Sequence, residues 1–300
     1  MSSHVVVLMG GWSAEREVSL VSGAAVANAL SNAGYRVTSV DVQRDMSSLL
    51  TRLYPKPDVV FNALHGRYGE DGCVQGLLNI LNIPYTHSGV LASALAMDKP
   101  MAKRLMKDAG ITVADHQIVT REEMTKSGVM DAPFVIKPLN EGSSVGVSII
   151  HENDNFDPAA VEWSYGEQVM LEKYIAGREL TVAVMGDLAL DVTEIESQHG
   201  FYDYNAKYAR GGSRHQVPAD LPANVYEEAL RISLLAHETM GCRGVSRSDM
   251  RYDGTNLYML EVNTQPGMTP TSLVPEQAAH ANISFEDLVS WMVEHAACDG

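Results

Sequence analysis

Over residues 1–95, apolar runs of strand length alternate with segments whose apolar residues recur at helical spacing, and no other feature restricts the fold as much. HVVVLM (4–9) is continuous and apolar; Val18, Val21, Ala25 and Ala29 then follow a helical period until Gly34 supplies a stop. VTSVDV (37–42), DVVFNAL (58–64) and the helix-like CVQGLLNILNI (73–83) continue the pattern. Strands separated by helical segments imply a parallel sheet covered on both faces. Ligands of such sheets collect at the carboxyl ends of the strands, where GGWSAERE (10–17) and HGRYGEDG (65–72) fall.

From about Asp98 the pattern changes. A helix, MDKPMAKRLMKDAG, precedes PFVIKP (133–138), a glycine-serine turn EGSSVGVSII (141–150) and QVMLEKYI (168–175), which together predict an α+β module. Strands ELTVAVMG and LALDVTEIE follow Gly177, then a stretch from Ser197 to Pro222 with little periodicity. Structureless segments of about 20 residues are uncommon in compact proteins and often act as lids. Val225, Ala229, Ile232 and Ala236 mark a further helix, GVSRSDMRYDGTNLYMLEVN (244–263) a hairpin, and Phe285, Leu288 and Met292 a closing helix. A chain of 300 residues exceeds one ordinary domain of roughly 100–150 residues, so two or three modules are expected.

Charge narrows the partners. With 22 basic against 38 acidic side chains the net charge is -16, which argues against nucleic acid or an anionic membrane surface, so any basic site must be local. Cys73, Cys242 and Cys298 are odd in number and lack metal-ligand spacing, as reduced structural thiols would. No basic lead precedes the short apolar run at the N-terminus, and no run of about 18 apolar residues occurs, so a cytoplasmic protein without membrane spans is expected.

The hairpin carries the first chemical suggestion. Alternation places Glu261 and Asn263 on one side with Leu257 and Met259, and Arg247 and Asp249 on one side of the preceding strand. If Gly254-Thr255-Asn256 is a three-residue loop, Asp253 opposes Leu257, Asp249 opposes Glu261 and Arg247 opposes Asn263. A two-residue Gly-Thr loop would separate them. Facing carboxylates repel unless a cation or shared proton intervenes, and carboxylate and amide oxygens suit magnesium. An acidic surface balanced by Arg247 and Arg251 fits the same residues, and spacing alone leaves both readings open.

Lys137 closes the strand PFVIKP, and the glycine-serine turn after it could bring backbone N–H groups to a phosphate. EGSSVG lacks a P-loop lysine, and GGWSAERE lacks the G-x-G-x-x-G of a dinucleotide site. Ser13 also suits a helix cap, and Glu15 the first turn of a helix.

Taken in order, GGWSAEREVSL, HGRYGEDG, MDK, VIKP with EGSSVGV, LEKYI with RELTVAV, YDYNAKY, RSD and LEVNTQPGMTPTSLVP closely resemble the D-alanine–D-alanine ligases of the ATP-grasp superfamily over nearly the whole chain. The resemblance implies an N-terminal parallel α/β domain (1–95) followed by a two-module ATP-grasp fold, with a central module (96–178) and a C-terminal module (179–300) carrying a lid (197–222). It also implies ATP-dependent joining of two D-alanines through an acyl phosphate, for peptidoglycan in the cell wall.

Roles follow position by position from that resemblance. Asp249, Glu261 and Asn263 would hold two magnesium or manganese ions; Lys99 and Lys137 would bind phosphates. Glu172 and the backbone of Lys173, Tyr174 and Ile175 would receive adenine, with Glu179 on the ribose. Glu15 would accept the ammonium of the first D-alanine, tethered through Ser143 and Tyr208. Ser272 and the Leu273 N–H would hold the second carboxylate, with His65 near that subsite. Arg247 and the Gly267 N–H would stabilise the tetrahedral oxyanion, and Lys207 and Tyr208 belong to the lid. Tyr208 in YNAKY favours a dipeptide over an ester product. Potassium activation and a homodimer are family expectations that no residue pattern here displays.

Two positions depart from the family pattern. Gln265 stands where serine is frequent, and Ser248 stands where an aliphatic residue is common, facing away from the metals. The alternatives are another ATP-grasp carboxylate–amine ligase and a catalytically silent nucleotide-binding homologue; a dinucleotide oxidoreductase is disfavoured by the missing glycine fingerprint.

Overall fold

The computed structural model describes residues 2–126, 130–142, 145–158, 161, 166–197 and 212–300. Ser143, Lys207 and Tyr208 lie outside the described residues, as do positions 198–211 of the expected lid.

The N-terminal alternation becomes strands β1 (His4–Gly10), β2 (Arg36–Val42) and β3 (Val59–Asn62), paired in parallel in the order β2-β1-β3. β1 is apolar without interruption because both its faces are covered. Val5 and Val7 pack with Val26 and Leu30 of helix α1 (Arg16–Asn32), while Val6 and Leu8 pack with Leu49 of α2 (Met46–Arg52) and Leu78 of α3 (Cys73–Ile80). The N-cap of α1 is Glu15; Ser13 instead accepts from the Glu15 N–H at 3.2 Å and donates to the His65 carbonyl at 2.7 Å.

Helix α4 (Val90–Met97) leads to α5 (Lys99–Asp108), where Asp98 accepts the Met101 N–H at 3.0 Å and Pro100 occupies the first turn, where no intrahelical bond is lost. Next come β4 (His116–Thr120), the single turn α6 (Arg121–Met124), β5 (Phe134–Pro138), β6 (Ser148–Ile150) and β7 (Gln168–Lys173). These strands form an antiparallel sheet in the order β4-β7-β5-β6.

A second antiparallel sheet has the order β10-β9-β8-β11-β12, from β8 (Arg178–Met185), β9 (Leu188–Ser197), β10 (Ser213–Gln216), β11 (Val245–Tyr252) and β12 (Leu257–Asn263). Helix α7 (Ala223–Thr239) covers one face through Ala229, Ile232 and Ala236, against Leu180, Val192 and Met250. Helix α8 (Leu273–His280) lies on the other, and α9 (Phe285–Glu294) returns to α1, packing Leu288 and Met292 with Val5 and Val26. This parallel sheet followed by antiparallel sheets is the α/β and α+β combination that the sequence predicts.

Two elements differ from expectation. β10 pairs with β9 inside the 197–222 stretch, so that stretch is not wholly irregular. Helix α8 was not expected, because its buried stripe includes Gln277, which is 0% exposed and interrupts the apolar period. Gln277 accepts the Ala183 N–H at 2.7 Å beside a register shift between β8 and β9, and donates to the Thr181 carbonyl at 3.1 Å. A polar side chain thus satisfies backbone that the irregularity would leave unpaired.

The hairpin corrects its expected geometry. Its tip spans residues 253–256, with Tyr252 opposite Leu257, so the loop is one residue longer than expected. A bulge at Leu260 then absorbs one residue, restoring Asp249 opposite Glu261 and Arg247 opposite Asn263. The bulge also changes the faces. Leu257, Met259 and Val262 join the apolar cluster with Met250, whereas Glu261 and Asn263 share the opposite face with Asp249 and Arg247, not the face of Leu257 and Met259.

Candidate active site

Cross-strand neighbours share a face, so the registers of β8, β11 and β12 assemble three polar rows. Glu179 sits beside Arg251, Thr181 beside Asp249 and Glu261, and Ala183 beside Arg247 and Asn263. Asp249 is held on two sides: the Arg247 guanidinium forks onto it at 2.8 and 2.6 Å, and the Thr181 hydroxyl donates at 2.7 Å. Asn263 Oδ1 accepts the Gln265 N–H at 2.8 Å, which turns the chain after β12. Ser248 lies on the other face of β11 from Asp249 and is fully buried.

A cavity opens over this face, lined by Arg247, Glu261, Asn263, Gly267, Ser272 and Leu273 from the C-terminal part, Glu15, His65 and Glu70 from the N-terminal loops, and Lys99 and Gly142 from between. Residues far apart in the chain therefore meet at one place. Gly66, at φ +68°, and Gly142 allow the loops to close on Glu15: a Cβ would stand 2.9 and 3.2 Å from Glu15 Oε2 at the two positions. His65 Nδ1 lies 3.0 Å from Glu70 Oε1. Burial lowers the His65 pKa, but the Glu70 hydrogen bond and the charges of Glu70 and Glu15 outweigh it, so the net shift is upward.

Ser272 is the N-cap of α8, yet its hydroxyl serves Thr269, accepting its N–H at 3.0 Å and pairing with its Oγ1 at 2.8 Å. The first turn of α8, with its partial positive charge, faces the cavity beside Gly267, whose added Cβ would lie 3.0 Å from Ser272 Oγ.

The described residues expected to hold the nucleotide lie outside the lining of that cavity, except for Lys99. Lys99 Nζ donates to the Glu141 carbonyl. Glu172 is buried between two ammonium groups, Lys137 at 2.5 Å and Lys103 at 2.6 Å. Burial alone would raise its pKa, and the two lysines overturn this to about 2. In the hinge between β7 and β8, the Lys173 N–H donates to the Asp115 carbonyl at 2.8 Å and the Tyr174 N–H to the Pro133 carbonyl at 3.1 Å, so two N–H groups of the stretch expected to receive adenine are engaged within the protein.

Besides Lys103, four residues outside the expected set take part. Arg251 donates to the Ile175 and Gly177 carbonyls at 3.1 and 3.0 Å and pairs with Glu179 at 2.9 Å, fixing the hinge to the second sheet. Thr181 orients Asp249, Glu70 orients His65, and Gln265 joins Asn62 and Leu64. Alternation along ELTVAV could have suggested Thr181, and Glu70 lies in the same HGRYGEDG motif as His65; Arg251 and Gln265 act on partners distant in sequence.

Residues 105–294 match the family model described as D-ala D-ala ligase C-terminus, and residues 46–88 match D-ala D-ala ligase N-terminus. The D-alanine–D-alanine ligase of Rhodospirillum rubrum is 60% identical over 301 residues, covering 100% of both chains. That of Parvibaculum lavamentivorans is 59% identical over 306 residues, covering 99% of each. A crystal structure of the D-alanine–D-alanine ligase from Bacillus anthracis complexed with ATP superposes with a TM-score of 0.83 at 32% identity, covering 98% of this chain and 97% of that one. The cavity, the matched motifs and these relatives agree: the chain belongs to the D-alanine–D-alanine ligase family.

Proposed function

We propose that this protein joins two D-alanines to D-alanyl-D-alanine at the expense of ATP, supplying a dipeptide precursor of the bacterial cell wall. The observation that carries this reading is the opposed pair Asp249 and Glu261, flanked by Arg247 and Asn263, in reach of a cavity that also receives Glu15 and the N-terminus of α8. This arrangement supports adjacent phosphoryl, ammonium and carboxylate subsites.

In this reading Glu15 holds the ammonium of the first D-alanine and directs its carboxylate toward the γ-phosphate. Attack there forms the acyl phosphate and releases ADP, which turns a poor leaving group into a good one. The second D-alanine places its carboxylate at Ser272 and the Leu273 N–H, where the helix terminus favours an anion. Its neutral amine attacks the acyl carbonyl, and the tetrahedral oxyanion is stabilised by Arg247 and the Gly267 N–H before phosphate departs. His65, which lines the same cavity as Ser272 and Leu273 and is held by Glu70, would stand near that subsite. Ser143, Lys207 and Tyr208 retain their proposed substrate-tethering and lid roles.

Asp249, Glu261 and Asn263 offer hard oxygen ligands, and the direct opposition of the two carboxylates suits a divalent cation; Arg247 now supplies positive charge to Asp249. Two magnesium or manganese ions bound there would neutralise phosphate charge during transfer. Potassium activation is proposed as well. On the nucleotide side, Lys99 and Lys137 take the phosphates, Glu172 and the 173–175 backbone the adenine, and Glu179 the ribose.

The proposed division is 1–95, 96–178 and 179–300, each containing one of the sheets. A homodimer is supported by apolar side chains left exposed on α2, α3 and α4, among them Leu50, Ile80 and Leu91. Among the described residues no helix is long and apolar enough to cross a membrane. A cytoplasmic location is part of the proposal. Release of ADP and phosphate on mixing the protein with ATP, magnesium, potassium and D-alanine tests the activity; no release with D-alanine would refute it.

A further inference from the structure

Lys103 has no role in the reaction described above, yet it is 1% exposed beside the proposed nucleotide hinge. It projects from α5, whose Ala102 and Met106 are buried in the apolar core, and its Nζ lies 2.6 Å from Glu172 Oε2. Lys137, from β5, occupies the other carboxylate oxygen at 2.5 Å. The register explains the meeting: Val135 opposes Glu172 and Lys137 opposes Met170, so Lys137 and Glu172 are diagonal neighbours on one face.

The two ammonium groups are not equivalent. The Lys137 side chain is 14% exposed, whereas that of Lys103 is 1% exposed. Lys137 alone has a path to solvent. Two lysines face one carboxylate, each on its own oxygen, so either one can remain as a partner of Glu172 when the other leaves.

We infer that Lys103 is a positioning residue for the proposed ATP site, a permanent counter-ion of Glu172 that frees the Lys137 ammonium to transfer to a nucleotide phosphate. The inference rests on the reading of Lys137 as a phosphate ligand. Its physical basis is that a buried carboxylate stripped of its only partner is strongly disfavoured. With Lys137 as sole partner, leaving would strand Glu172, and ATP would have to offset that penalty. Lys103 keeps the carboxylate neutralised throughout, so Lys137 exchanges one anion for another.

A double-mutant cycle on ATP binding tests this, using calorimetry of the full chain with magnesium and no D-alanine. Lys103→Met is expected to weaken ATP binding about tenfold or more in the otherwise unaltered chain, but less than about twofold when Glu172→Gln has removed the carboxylate that traps Lys137. Equal losses in both backgrounds, or no loss in either, would overturn the inference while leaving the proposed function standing. Failure of the unaltered chain to bind ATP would overturn both. Should Lys103→Met not fold, lysine side-chain 15N resonances of the unaltered protein decide the matter, with the Lys137 signal identified by its loss in Lys137→Met. ATP is expected to shift the Lys137 ammonium and leave the Lys103 ammonium in place; a shift of Lys103 with Lys137 unmoved would overturn the inference.

Discussion

Gln265 Oε1 accepts a hydrogen bond from Asn62 Nδ2 at 2.8 Å across 203 positions of chain, and both residues are essentially inaccessible. Gln265 Nε2 also donates to the Leu64 carbonyl. One amide thus ties the loop after β12 to the end of β3, next to His65. Replacing it with alanine leaves buried polar groups unpaired, so Gln265→Ala should lower unfolding stability by about 2 kcal/mol and raise the KM for D-alanine. An unchanged urea midpoint would contradict the first part and an unchanged KM the second.

Glu261→Gln keeps shape and removes one of the two opposed carboxylates. ADP release is expected to fall by at least about 10²-fold, the scale of losing one electrostatic element of a transition-state site, with the folded spectrum retained. A chelator should reproduce the loss in the unaltered protein, and added magnesium or manganese should reverse it. Turnover indifferent to both manipulations would remove the metal assignment.

Ser272→Ala targets the proposed second carboxylate subsite. Loss of one hydrogen bond to a charged group, roughly 1.5–3 kcal/mol, corresponds to a KM rise for the acceptor D-alanine of about 10- to 100-fold. The donor KM should change much less, since the proposed donor contact is Glu15. Initial rates over a wide D-alanine range separate the two, and a parallel rise in both would argue for general disruption of α8.

Buried histidines set an acid limit. Burial lowers His87 to about 3 and His237 to about 4, from an ordinary 6.5. The unfolded chain binds those protons first, so stability falls as the pH drops below about 6.5, until the folded values are passed. His65 has the opposite sign: its raised folded pKa adds stability that is fully present below 6.5 and is lost as pH rises through the folded value. Between pH 6 and pH 5 the two lowered histidines should therefore dominate, at roughly 2–3 kcal/mol per pH unit together. Urea midpoints at the two pH values check the slope, and His237→Gln should reduce it by about half.

The N-terminal sheet was legible because both faces of β1 are covered, leaving an unbroken apolar run between helical periods. The pairing of Asp249 with Glu261 was legible too, although the loop and bulge that produce it were not: their one-residue errors cancel. Helix α8 was hidden by a polar residue at a core position, placed there to satisfy a strand irregularity that no local pattern announces. Arg251 read as a surface charge because its carbonyl partners at Ile175 and Gly177 come from another part of the chain. Local periodicity reports faces; it does not report which distant backbone a side chain will reach.

The bulge at Leu260 inverts the alternation of β12. Met259 and Glu261 are two positions apart and would share a face in a regular strand, yet they lie on opposite faces because Leu260 is left unpaired between them. Pairing Leu260 opposite Asp249 would turn Glu261 and Asn263 into the apolar layer of Met259. Deleting Leu260 instead keeps Glu261 opposite Asp249 and on the same face, so a related chain can lose this residue without separating the two carboxylates.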